Sequence, residues 1–169
     1  MRARVITSAS NATVKAARRL RQRRARDESG SFYIEGIRVV GQALESGATF
    51  LTCIVAPELL VSRYALDVVE RLRTSGSDVL DVSETVFRGL AMRENPQGIS
   101  AVVQQAWASL GQITQLRGLG WVALDAVADP GNLGTILRTC DAVGCEGVIL
   151  LGASADPHDP SAVRASMGA

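Results

Sequence analysis

Residues 120–152 read G-W-V-A-L-D-A-V-A-D-P-G-N-L-G-T-I-L-R-T-C-D-A-V-G-C-E-G-V-I-L-L-G, and the fold class follows from how that stretch divides. Val122 to Val127 is a short apolar run of strand length. Gly131-Asn132-Leu133-Gly134 reads as a tight turn, and beyond it Ile136, Leu137, Cys140 and Val143 recur at helical spacing. Gly144 is placed to stop that helix, because the left-handed position after a last turn favours glycine. Val148 to Leu151 is a second apolar run. The stretch therefore predicts one strand-helix-strand unit of an α/β layer fold.

The turn carries more information than the unit. Asp129-Pro130-Gly131-Asn132-x-Gly134 leaves the strand through residues suited to a sharp bend, with Arg138 one helical turn beyond Gly134 and near the helix N-terminus. L-D-x-V-x-D-P-G followed by N-L-G-T-I-L-R resembles the first motif of the SpoU (TrmH-like) branch of the SPOUT RNA methyltransferases, which methylate a ribose 2′-hydroxyl with S-adenosylmethionine. The tail S-A-V-R-A-S-M-G-A, residues 161–169, is similar to that family's next stretch. The resemblance implies the first part of an α/β SPOUT (trefoil-knot) domain over residues 119–169. It also implies that Arg138 is catalytic, that Asn132 holds this arginine or the RNA, and that Arg164 and Ser166 lie near the RNA or the active-site cleft. From the residues alone Asn132 keeps a second reading as the cap of the following helix. Asp125 and Asp129 are expected to fix the turn rather than react.

Towards the N-terminus, Ser10 or Asn11 can cap a helix running to about Arg26, with Val14, Ala17 and Leu20 as a thin apolar stripe. Asp27 to Gly30 breaks it. Ser31 to Ile34 reads as a strand, and a helix follows from Glu35-Gly36 to Gly47 with Val39, Val40, Ala43 and Leu44 inward. Phe50 to Val55 is a strand, and Ser62 to Arg73 a helix burying Leu66, Val69 and Leu72. Val79 to Val82 is a short strand, Ser83 caps a brief helix to Ala91, and Ile99 to Val103 closes the alternation. S-x-x-N-x-x-V-K from Ser8, F-Y-I-E-G-I-R-V-V-G-Q-A-L from Phe32 and N-P-Q-G-I-S-A-V-V from Asn95 resemble the substrate-binding domain that precedes the catalytic domain in many SpoU enzymes. That resemblance implies a ribosomal-protein-like α/β/α sandwich that grips structured RNA, over residues 1–104. Residues 105–118 are the expected linker.

Charge is close to balanced overall, at +1, yet unevenly placed. Arg2, Arg4, Lys15, Arg18, Arg19, Arg21, Arg23, Arg24 and Arg26 form a run with no acid among them, and all but Lys15 are arginines, which fork onto phosphate oxygens. Lys15, Arg18, Arg19, Arg23 and Arg24, with Asn11 and Arg38 from the resembling stretches, are the expected RNA-binding residues; the competing reading of the run is a well-solvated helix. Aromatics are sparse and fall mostly inside expected elements, which favours docking on folded RNA through phosphates and shape over base stacking. Phe32 and Tyr33 straddle a strand, so core packing is the reading for at least one.

A chain of this size can bury roughly 68–70% of its unfolded surface, enough for a stable core or two small ones. No apolar run approaches the ~18 residues that span a bilayer, and the basic N-terminus leads into no apolar signal core, so the expected location is cytoplasmic. Three cysteines, Cys53, Cys140 and Cys145, without C-x-x-C spacing argue against a disulfide framework and against zinc. His158 is the only histidine. Within A-D-P-H-D-P it reads as a surface residue and not a base, and no metal site is expected.

SpoU enzymes carry two further motifs that form the knotted cradle for S-adenosylmethionine, and neither occurs before Ala169. The expectation is that this chain by itself holds no cofactor and turns nothing over, and that its partial sheet exposes unpaired edges. The resemblance further implies a homodimer of complete catalytic domains. Three functions compete: a 2′-O-ribose methyltransferase acting on ribosomal RNA, 23S above all, or on transfer RNA; a non-catalytic RNA-binding module; and a nucleotide-binding α/β enzyme cradling phosphate at Gly131 to Gly134. The last lacks both G-x-G-x-x-G and G-x-x-x-x-G-K-[ST].

Overall fold

The computed structural model of the chain describes residues 5–113 and 119–169. Arg2 and Arg4 of the basic run, and residues 114–118 of the expected linker, lie outside the described residues. The chain divides into two compact units, residues 1–104 and 105–169. Both are α/β, and no helix among the described residues is long and apolar enough to cross a membrane.

The first unit runs α1 (Ala12–Arg19), α2 (Arg23–Ser29), β1 (Ser31–Glu35), α3 (Ile37–Glu45), β2 (Phe50–Val55), α4 (Arg63–Thr74), β3 (Val79–Asp81), α5 (Glu84–Leu90) and β4 (Ile99–Gln104). Its four strands lie in the order β1-β4-β2-β3, antiparallel except for the β2/β3 pair. Alternate residues serve opposite faces. Tyr33 and Ile54 pack with Val14 and Ala17 of α1, with Leu20 that caps its end, and with Val86, Phe87 and Leu90 of α5. Their strand neighbours Ile34, Cys53, Val55, Ile99 and Ala101 are equally buried, on the face where α3 meets β1 and β4 and packs on α4. Helices on both faces of one sheet make the three-layer sandwich. Tyr33 is a core residue, and burial raises its hydroxyl pKa above the ordinary tyrosine value.

Three details depart from the sequence reading. The single helix expected up to Arg26 is two, because the Arg26 side chain, only 1% exposed, donates from Nη1 to the Leu20 and Arg21 carbonyls at 2.9 and 3.0 Å. Those carbonyls would otherwise continue the helical ladder, so a buried guanidinium ends α1 and turns the chain into α2. In α4 the inward stripe is Ala65, Val68, Val69 and Leu72, while Leu66 is 53% exposed. Both stripes have helical spacing, and the close seat of Tyr64 against the bare backbone of Gly41 on α3 selects the observed one. In α3, finally, Val39, Val40 and Gly41 are buried, whereas Ala43 and Leu44 are half-buried.

The second unit contains β5 (Trp121–Asp125), α6 (Pro130–Ala142), β6 (Gly147–Leu151) and α7 (Pro160–Ser166). The two strands are parallel and in register from Trp121 opposite Gly147 to Asp125 opposite Leu151. A side chain at Gly147 would enter the Trp121 ring, so glycine there lets the indole lie across its neighbouring strand. Gly144 takes φ +76°, and the Cys145 and Gly144 N–H groups donate to the Cys140 and Asp141 carbonyls, closing α6 in a Schellman arrangement.

Candidate functional site

Helix α6 begins earlier than the sequence reading placed it. Asp129 is its N-cap, Oδ1 accepting from the Asn132 N–H at 2.7 Å, and Pro130 occupies the first helical position. The Gly131-to-Gly134 segment is therefore the first helical turn and not a turn before the helix. Two consequences correct the earlier assignment. Asn132 does not cap the helix; its side chain is exposed and makes no hydrogen bond among the described residues. Arg138 stands about two turns in from the N-terminus rather than near it.

Gly134 sets the geometry around Arg138. A Cβ on Gly134 would run into the Ala162 carbonyl oxygen and come within 2.8 Å of the Ala165 Cβ, so its absence is what lets α7 lie directly on α6. Residues four apart share a helix face, which puts Arg138 one turn beyond that contact. Arg138 and Arg164 are both exposed on this clamped helix pair, and neither has an acidic partner among the described residues. Two free guanidinium groups on a rigid pair suit a phosphate or a developing oxyanion.

Ser166 does not join them. It is 5% exposed, its Oγ donates to the Val163 carbonyl at 3.0 Å and accepts from the Gly168 N–H at 3.2 Å, closing the last turn of α7. A hydroxyl so placed offers RNA no contact in this conformation. At the carboxyl ends of the strands, Ala126 takes the left-handed φ of +54° and Gly152 +58°, and the Asp125 carboxylate occupies space that a side chain at Gly152 would need, 2.6 Å from its Cβ position. No local pattern marks this pairing, because it depends on the register of two strands separated by a helix.

His158 differs from expectation. Its side chain is only 13% exposed, Nδ1 lies 3.6 Å from Asp156 Oδ1, and the ring meets Trp107 edge-on at 5.0 Å between centroids. The acids of the same loop are used locally: Asp156 accepts from the His158 N–H, and Asp159 caps α7. All three cysteines are free thiols, with burial pushing Cys53 up to about 12.

The basic run of the first unit is smaller as a free surface than it is in sequence. Arg23 and Arg24 pair with Asp27 and Glu28 at 3.7 and 2.7 Å, an i,i+4 spacing already legible in R-R-A-R-D-E. Arg26 is buried, Arg21 donates to the Leu90 and Ala91 carbonyls, and half-buried Arg18 packs over Gly89. Asn11 caps α1, its Oδ1 accepting from the Thr13 and Val14 N–H groups, so that oxygen is engaged. Lys15, Arg19 and Arg38 remain exposed and without an ion pair among the described residues.

Two family models match the chain: the MRM3-like substrate binding domain over residues 11–101 and the SpoU rRNA methylase family over residues 121–169. The chain belongs to the SpoU family of RNA methyltransferases. Among SpoU relatives, the Bacillus subtilis 23S rRNA (guanosine(2553)-2'-O)-methyltransferase RlmP is 32% identical over 163 residues, 96% of this chain and 60% of that protein. The Streptomyces viridochromogenes 23S rRNA (uridine(2479)-2'-O)-methyltransferase is 30% identical over 88% of this chain and 51% of its own length. An AdoMet-bound rRNA methyltransferase from Sinorhizobium meliloti superposes with a TM-score of 0.84 at 39% identity, over 98% of this chain and 61% of that one. The chain thus spans roughly half to three-fifths of the length of these three relatives.

Proposed function

We propose that this protein transfers a methyl group from S-adenosylmethionine to a ribose 2′-hydroxyl of ribosomal RNA, with 23S rRNA the first candidate. The carrying observation is the N-L-G-T-I-L-R segment folded as one helix, with Arg138 exposed beyond the Gly134 contact, in a chain whose two halves match a substrate-binding and a SpoU model. The cofactor supplies an electrophilic methyl group on a sulfonium. The described residues do not by themselves fit it: one exposed carboxylate, Asp125, at the strand ends is no enclosing seat.

A ribose hydroxyl is a poor nucleophile, so its oxygen must be aligned and the negative charge that develops on it stabilised. Arginine stays protonated near neutrality, so Arg138 acts as a cation and not as a base. In this reading it binds the phosphate next to the target ribose and the incipient alkoxide, and the hydroxyl proton leaves to solvent. Asn132, with its amide unengaged, steadies the RNA or the arginine. Lys15, Arg18, Arg19, Arg38 and Arg164 contact phosphates, which makes RNA affinity fall with rising salt. A homodimer of catalytic domains completes the reading, supported by the exposed Leu119, Val143 and Leu151 of the second unit.

Methyl transfer from labelled S-adenosylmethionine to 23S rRNA by the intact protein tests it. Arg138→Ala should lower turnover by at least about a hundredfold, the loss typical of one oxyanion donor, and weaken RNA binding only by the worth of one phosphate contact. Undiminished turnover removes Arg138 from the mechanism. Salt-dependent RNA binding without any methyl transfer by the intact protein would select the binding-module reading instead.

A further inference from the structure

The first unit carries a cleft of about 290 Å³ on the sheet face that α1 and α2 cover. Ala16 and Ala17 of α1 and its capping Leu20 give it an apolar side, and Val102 with Thr52 and Ser31 its sheet side. Ala25, Glu28 and Ser29 of α2 face them, and Arg19 also lines the opening. The volume is just below the ~300–1,000 Å³ of sites for drug-sized ligands, which suits one small heterocycle.

Its polar atoms are unequal in kind. Ser29 Oγ donates to the Ala25 carbonyl at 2.7 Å, so the hydrogen in the 2.9 Å Ser29–Ser31 contact comes from Ser31. Both hydroxyl hydrogens are consumed, and lone pairs remain. Thr52 Oγ1 donates to the Leu51 carbonyl at 2.8 Å, and Glu28 Oε1 accepts from Arg24 Nε at 2.7 Å, leaving its second oxygen open. The α2 and sheet sides therefore offer acceptors. Cations sit on the α1 side: Arg19 lines the cleft, and Lys15, four residues earlier, shares its helix face.

We propose that this cleft receives one unstacked nucleobase of the substrate RNA, one bearing an exocyclic amine, while the adjoining phosphates rest on Lys15 and Arg19. The inference deepens the RNA-binding part of the proposed function and rests on it. An amine donates to the Ser29, Ser31, Thr52 or Glu28 oxygens. Uracil keeps one donor on that edge, N3–H, but sets a carbonyl where the amine would donate, so the cleft oxygen facing that position is left unpaired, which is the costly arrangement. Apolar walls and a splayed-out base are the usual terms on which proteins read single-stranded RNA.

Labelled oligocytidylate and oligouridylate of equal length differ only along that edge, in a C4 amine against a carbonyl and a bare against a protonated N3, and their binding to the full chain can be followed by fluorescence anisotropy. Cytidylate should bind roughly fivefold to tenfold tighter, the worth of about one hydrogen bond. Ala16→Trp, at an exposed α1 site, fills the cleft and should abolish the preference. Thr52→Val, which keeps the shape and removes an acceptor, should reduce it while circular dichroism stays unchanged. Equal binding of the two oligonucleotides, or a preference that survives Ala16→Trp, overturns the proposal. Lys15→Ala with Arg19→Ala separates the two levels, because it should weaken both oligonucleotides alike. A 23S rRNA fragment that binds without any base preference sinks the cleft alone, whereas failure to bind that fragment sinks the RNA-binding reading with it.

Discussion

Replacing Gly134 by alanine tests the packing on which the candidate site depends. The new methyl group would run into the Ala162 carbonyl oxygen and approach the Ala165 Cβ to 2.8 Å. Neither obstacle can swing aside, since one is backbone and the other is the stub of a side chain. Helix α7 must therefore move as a body. Overpacking of this sort costs about 1–3 kcal/mol, and a backbone obstacle belongs in the upper part of that range. Against it stands the gain of alanine over glycine inside a helix, about 1 kcal/mol. The net expectation is a loss of about 1–2 kcal/mol, which for a unit of this size lowers the melting point by roughly 5–15 °C. Trp107 and Trp121 are the only tryptophans and both belong to the second unit, so tryptophan fluorescence reports that unit's transition. Turnover should fall as well, because a helix shifted by about 1 Å moves Arg164 relative to Arg138 and a misplacement of that size can cost about a hundredfold. A melting point equal to or above that of the unmodified protein would mean the propensity gain stands alone, and the α6–α7 clamp would have to be abandoned.

Asp129→Ala removes the cap on the Asn132 N–H and should cost about 1 kcal/mol in urea unfolding followed by tryptophan fluorescence, whereas Asn132→Ala should cost nothing measurable. Glu35 is buried, and desolvation raises its carboxyl pKa against the opposing Met92 N–H bond and the Arg93 and Arg21 charges. A raised folded pKa means a contribution fully present below the unfolded value and lost as pH rises through the folded one. Glu35→Gln, which still accepts from the Met92 N–H, should therefore raise the melting temperature near neutrality and give no gain below a pH of about 4. Brief iodoacetamide treatment of the folded protein near pH 8 should mark half-buried Cys145 and spare Cys53, whose thiol is pushed up to about 12; mass spectrometry of peptides reads the outcome.

The alternation of strands and helices was legible because each buried strand is a short run of apolar residues and each helix has a recognisable start. Ser62 and Ser83 cap α4 and α5 through their hydroxyls, as their positions suggest. What was not legible depends on groups far apart in sequence or on three-dimensional counting. Nothing local says that Arg26 turns inward to end α1, since its neighbours Arg23 and Arg24 look identical in sequence and remain on the surface. The stripe of α4 was ambiguous by one position until Tyr64 met Gly41. The basic run looks larger along the chain, where acids begin at Asp27, than around the helix, where Asp27 and Glu28 sit beside Arg23 and Arg24.

At the candidate site the residue types were readable and their offsets were not. Two glycines flanking Asn132 suggested a bend, yet Asp followed by Pro is itself a strong helix start, and the cap-plus-proline signal prevailed. That shift has a chemical consequence. With Asp129 supplying the cap, the Asn132 amide is released from a structural duty and stands exposed on the first turn. With Gly134 inside the helix, its missing side chain serves the contact with α7 instead of a loop around a phosphate. Arg138 then projects from the body of a rigid helix, where the end dipole has faded and its own charge is what remains to meet an anion. A phosphate cradle would need the N–H groups of that first turn, and the Asp129 carboxylate already occupies the helix N-terminus as its cap, which weighs against the nucleotide-binding alternative.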